Sequence, residues 1–142
     1  MKSTGWGLTA LRLCLGVFFV FMALRKLGWF SSAAELREQL TGWAENAPAI
    51  SRAYIQAICL PGVDLFARLV PLGELSVATA FLLGAYTRPA AALGLLMILN
   101  FHFASGLIFT YGYLTNGFGL PVIGGLLALA LGGASLPLSV KR

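Results

Sequence analysis

Residues 65–111 run LFARLVPLGELSVATAFLLGAYTRPAAALGLLMILNFHFASGLIFTY. Two apolar stretches flank Thr87-Arg88-Pro89, each close to the roughly 20 residues a helix needs to cross a hydrocarbon core of about 30 Å. Proline disfavours helix in the residue before it and is itself at home in the first turn of the next helix. The stretch therefore predicts a tight hairpin, with spans over 65–86 and 89–111. Two further windows, 6–24 and 118–136, meet the same requirement. The expected fold is an all-α integral membrane protein, a four-transmembrane-helix bundle forming one domain over 1–142, with residues 31–60 as an extracytoplasmic connection between spans one and two.

Composition points the same way. Apolar residues make up 58% of the 142-residue chain and charged ones 11%, with a mean hydropathy of +0.85, whereas a soluble domain carries roughly a quarter charged residues. The net charge of +5 comes from ten Lys and Arg placed singly or in pairs, without the basic stripe that nucleic-acid binding requires. Lys2 precedes the first apolar run, but Arg25 and Lys26 stand where a signal-peptide cleavage site would begin, so a retained helix is expected. Cys14 and Cys59 match no zinc, redox or haem spacing. The single histidine, His102, excludes a haem held by two histidines of one chain, and no metal site is expected.

Lys2, Arg88, Lys141 and Arg142 flank the spans on one side with no acid among them. Arg25, Lys26, Arg37 and Arg52 share the other side with Glu35, Glu38, Glu45 and Asp64. The positive-inside rule then places both termini in the cytoplasm. Within the connection, Ser32-Ala33-Ala34-Glu35 reads as a capping box followed by Leu36, Leu40 and Trp43 on one face. A second stripe, Ile50, Tyr54, Ile55 and Ile58, follows Pro48 and stops at Pro61-Gly62. Both suit short amphipathic helices along the outer interface or capping the bundle. Gly124, Ala128 and Gly132, with Gly125 and Gly133 beside them, and Gly73, Ala80 and Gly84 form stripes for close helix contact, within the chain or between copies of a homo-oligomer.

Ionisable residues at membrane depth are costly and mark candidate sites. On a rise of 1.5 Å per residue, Glu74 falls about 2 Å and His102 about 3 Å outward of their span midpoints, and Arg12 about 4 to 5 Å toward the cytoplasm. The three are thus candidates for one layer. Arg12 could instead snorkel to the near surface, as Arg68 is expected to do. Glu74 must pair with a cation, Arg12 or Lys26, or stay protonated. Asn100 sits about 200° around the helix from His102, so the two face different neighbours.

Leu11-Arg12-Leu13-Cys14-Leu15-Gly16-Val17-Phe18-Phe19, ending in Lys26-Leu27, resembles the opening of the DoxX family of small bacterial four-helix membrane proteins. Glu74, then Leu82-Leu83-Gly84-Ala85-Tyr86-Thr87-Arg88 and Ala90-Ala91, resembles that family's glutamate, apolar run, glycine and Thr-Arg turn. Family members often have glycine where this chain has Ala23, and a glycine pair near the positions of Val77 and Ala78. The resemblance implies a multi-pass protein of the bacterial inner membrane, related to the membrane subunit of thiosulfate:quinone oxidoreductase and accompanying redox or detoxification enzymes. Arg12, Glu74 and Arg88 are recurrent positions of its pattern.

The leading functional expectation is a membrane redox component that handles quinone or anchors a partner oxidoreductase or sulfur-metabolism enzyme. Glu74 and His102 are its candidate catalytic groups, and Arg12, Glu74 and His102 its candidate substrate-binding groups. Phe101, Phe103 and Phe109 would line the slot, and Thr110, Tyr111 and Tyr113 would link it to water. No covalent cofactor motif is present, so quinone is the cofactor expected and electrons would come from elsewhere. Competing expectations are a small-solute or ion transporter acting as an oligomer, with Glu74 and Arg12 as its site, and a structural or assembly subunit.

Overall fold

The computed structural model describes residues 2–140. All regular structure among them is helical: α1 (Lys2–Leu24), α2 (Ala34–Asn46), α3 (Ala49–Tyr54), α4 (Val63–Leu83), α5 (Thr87–Ala104) and α6 (Leu120–Gly132). A π-turn, Ile55–Cys59, extends α3, and 3-10 turns occupy Leu27–Phe30, Leu107–Phe109 and Tyr111–Thr115.

The four longest apolar stretches form α1, α4, α5 and α6, which pack in a ring, α1 and α5 each touching both α4 and α6. Neighbours run antiparallel: Lys26 meets Glu74 while Arg12 meets the end of α4, and Arg88 at the start of α5 bonds Ala130 near the end of α6. Leu15, Phe19, Val77, Phe81, Ala91, Leu126 and Leu129 fill the centre. Ala23, Val77 and Ala78 are all buried there, so small or β-branched residues hold α1 against α4. Phe21, Leu65, Leu72, Leu96 and Leu131 point outward and are exposed, as a lipid-facing surface requires. Two helical segments, Ser3–Leu24 and Val63–Leu83, are long and apolar enough to cross a membrane; Leu120–Gly132 is apolar but shorter. Arg88, Asn100 and His102 make α5 more polar. Lys141 and Arg142, on which the orientation argument partly rests, lie outside the described residues.

The helices are shorter than the apolar windows. α4 ends at Leu83 because Gly84 turns left-handed, at φ 70°. α5 stops at Ala104 instead of continuing to 111: Gly106 takes φ 76°, and a Cβ there would lie 2.8 Å from Pro48 Cδ. The connection thus abuts the end of α5, and the buried Ser51 Oγ donates to Phe103 O at 2.6 Å. α6 stops at Gly132 instead of 136, and residues 133–140 fold back as a strap whose Val140 N–H donates to Leu83 O at 3.0 Å. Hydrophobicity continues past each of these stops, which is why it did not reveal them.

The connection packs on the end of the bundle where α1 finishes and α4 begins, through Trp29, Leu36, Leu40, Ile55 and Cys59. The expected capping box is not formed. α2 starts one residue later, with Ala33 as its N-cap and no side-chain cap there, and Ser32 Oγ accepts from Ala34 N–H. The Ile50-Tyr54-Ile55-Ile58 stripe also breaks up. The π-turn closes with Leu60 N–H on Ile55 O, and its wider winding leaves Ile55 buried but Ile50 and Ile58 exposed. Of the glycine stripe in α6, Gly125 and Gly132 meet Leu11, Leu15 and Leu8 of α1, whereas Gly124 faces open space.

Candidate functional site

Lys26 lies two residues beyond α1 and its side chain turns back along it. Its Nζ donates to Met22 O at 3.1 Å and to Glu74 Oε1 and Oε2 at 2.9 and 3.2 Å. Glu74 is buried in α4, and the pair is the one ion pair within the bundle among the described residues. Lys26 Nζ also stands 5.7 Å from the Trp29 ring centroid and 5.8 Å from that of Phe101. Both rings offer a negative face to the ammonium.

Beside this pair lies a cavity of about 340 Å³ between α1, α2, α5 and the 105–119 segment. Phe18, Trp29, Trp43, Phe101 and Phe118 give it aromatic walls, and Arg25, Lys26, Glu35, Gln39 and His102 supply polar groups. Its size is that of a small-molecule site. His102 Nδ1 is 2.8 Å from Tyr113 Oη, and the two rings meet edge to face at 5.1 Å. Nε2 has no partner among the described residues. Trp29 Nε1, a buried donor, has none either. Tyr113 stands outside the helices, where burial raises its phenol above the ordinary tyrosine range.

Arg12 is not part of this site. It is fully buried at the opposite end, where Nη1 donates to Ser139 Oγ at 2.6 Å and Nη2 to Leu138 O at 2.9 Å. The expected layer of Arg12, Glu74 and His102 therefore does not form. Helical side chains lean toward the N-terminus, which carries Arg12 toward the strap, while Lys26, in the turn beyond α1, reaches back to Glu74. Nor does Arg12 snorkel, because the strap covers it. A joint Glu74 and Arg12 transport site is likewise not assembled. His102 lines the cavity, whereas Glu74 reaches it only through Lys26. Asn100 faces away and accepts from the Tyr54 hydroxyl in a short hydrogen bond. Arg68 is exposed and bonds Asp64 O within its own helix.

Part of both ends, from α1 through the end of α5, falls within a family profile. The DoxX profile matches residues 7–107. The chain belongs to the DoxX family. No curated protein and no solved structure matches it.

In this DoxX protein, the match spans Arg12, Lys26, Glu74, Thr87, Arg88 and His102 but stops before Tyr113 and the strap. Sequence reasoning treated Lys26 only as a possible partner and overlooked Trp29 and Trp43 as cavity walls. The available signal was that tryptophan gathers at membrane interfaces, which is where a connection between spans must lie.

Proposed function

We propose that this DoxX-family membrane protein spans the bacterial inner membrane four times with both termini cytoplasmic, and that its outer cavity handles a quinone. The reading is carried by one juxtaposition: an ammonium anchored on a carboxylate and an imidazole with a free Nε2 border the same aromatic cavity. A quinone is a flat ring with two carbonyls. It needs apolar walls, donors for the oxygens and a proton route. Phe18, Trp29, Phe101 and Phe118 provide walls, His102 Nε2 a donor, Lys26 a positive charge beside the carbonyls, its own N–H groups being engaged by Met22 and Glu74, and Tyr113 a link toward the outer face. Reduction to quinol takes up two electrons and two protons. Electrons would come from a partner oxidoreductase or sulfur-metabolism enzyme, because this chain carries no motif for a redox group.

The test is quinone content. Protein taken in lipid nanodiscs from quinone-containing membranes should retain quinone on extraction, and His102→Ala should lower the amount. Wild-type protein that retains none and binds none when it is added back would defeat the reading.

A further inference from the structure

The opposite end holds a second cavity, of about 460 Å³, between the α4–α5 turn and the strap. Its wall includes Gly84, Thr87, Arg88 and Ser139, and no acidic residue. Thr87 is 5% exposed and lines the cavity, yet its hydroxyl has no partner among the described residues. It opens α5, an 18-residue helix without a side-chain cap, so the first-turn N–H groups of Thr87 and Arg88 lack helical acceptors. Arg88 Nε donates to Ala130 O at 2.9 Å, which fixes the guanidinium at the rim and leaves its terminal nitrogens without a partner among the described residues.

Arg12 adds an independent observation behind the wall. It is 0% exposed, its acceptors are all neutral, and its Nε has no acceptor. Neither carboxylate ion pair among the described residues includes it. Its Nη1 bonds Ser139 and is so close to Gly84 that a Cβ there would come within 2.0 Å. Among the described residues, then, a buried positive charge without a counterion stands directly behind two wall residues. Such a charge is costly unless an anion approaches it.

We infer that this cavity binds a phosphate group, through the Thr87 hydroxyl, the Arg88 guanidinium and the open first turn of α5, with the field of Arg12 behind them. Helix N-termini and arginine forks are suited to tetrahedral oxyanions. The phosphate belongs either to an anionic lipid headgroup or to a free phosphate ester. A choline headgroup is disfavoured because its cation would face Arg88 and Arg12.

The experiment uses the full chain in nanodiscs. In discs mixing phosphatidylglycerol with phosphatidylcholine, native mass spectrometry should show selective retention of phosphatidylglycerol. Thr87→Val, which keeps the side chain's shape, and Arg88→Gln should each cut that retention about tenfold. In discs of phosphatidylcholine alone, glycerol phosphate and inorganic phosphate are added and the melting temperature is read. Stabilisation lost in the same variants would assign the site to a free phosphate ester and also support the inference. Equal retention of both lipids with no phosphate effect, or selectivity that survives Thr87→Val, would overturn it. Should Arg88→Gln fail to fold, Thr87→Val still decides.

Discussion

Lys26 Nζ sits 2.9 Å from Glu74 Oε1, joining the residue pair beyond the end of α1 to the middle of α4. The side chains are 12% and 3% exposed, so water screens the pair little. Its position beside the cavity makes it a clamp between helices that also sets the Lys26 ammonium, with Arg25, in the cavity wall.

Glu74→Gln should destabilise the bundle by roughly 3 to 5 kcal/mol, because it leaves a buried ammonium without a counter-charge. Unfolding in detergent by denaturant would measure it. Lys26→Met combined with Glu74→Gln should recover much of the loss, since no charge then remains buried. A Glu74→Gln variant as stable as wild type would show that the pair contributes nothing to the clamp.

Gly84→Ala should cost at least about 2 kcal/mol, combining a left-handed backbone with displacement of Arg12. Adding Arg12→Leu should reduce the penalty of Gly84→Ala, because the two residues share the same space and their effects cannot be additive. Equal penalties with and without Arg12 would leave backbone strain as the whole cause.

How far the sequence could be read follows from such contacts. The helical hairpin at Thr87-Arg88-Pro89 and the helical segments follow from local hydrophobicity and proline stereochemistry, and they are where the windows put them to within a few residues, apart from the early stop of α5 at Ala104. The interruption at Gly106 depends on Pro48, which is 58 positions away. The strap over Arg12 depends on contacts that no periodicity encodes. Glu74 and His102 were legible because polar groups inside apolar runs stand out. Their separation from Arg12 was not, since depth along a helix says nothing about which way a long side chain leans.

Burial holds the Tyr113 phenol above its ordinary range. A phenol that binds its proton more tightly folded than unfolded contributes stability below its unfolded pKa of about 10, lost as pH rises through the folded value. Thermal stability should therefore fall in alkaline solution. Tyr113→Phe should make that fall shallower, while Tyr54, also raised by burial, accounts for part of what remains. A Tyr113→Phe profile superimposable on the wild type would remove Tyr113 from this effect.

The proposed cytoplasmic termini would put α2 outside. A Glu45→Cys variant, in a background with Cys14 replaced, should react with an impermeant maleimide added to intact cells stripped of their outer membrane. Reaction only after the inner face is opened would reverse the orientation, and with it the assignment of the Lys26 cavity to the outer half.

If the cavity takes a quinone, filling it should matter as much as removing its donors. Met22 lines it, and only its backbone carbonyl bonds Lys26, so Met22→Trp adds bulk while sparing both His102 and the ion pair. Quinone added to nanodiscs should quench the fluorescence of Trp29 and Trp43 in the wild-type protein. The introduced indole complicates that signal, so for Met22→Trp the measurement is bound quinone after extraction, which should fall by about tenfold or more. His102→Ala, which opens space but removes a donor, should weaken binding less, by the several-fold loss of one neutral hydrogen bond. Lys26→Met with Glu74→Gln tests whether the charge is needed. Undiminished quinone in Met22→Trp would place any quinone elsewhere, and a dependence on Lys26 without one on His102 would assign recognition to charge alone.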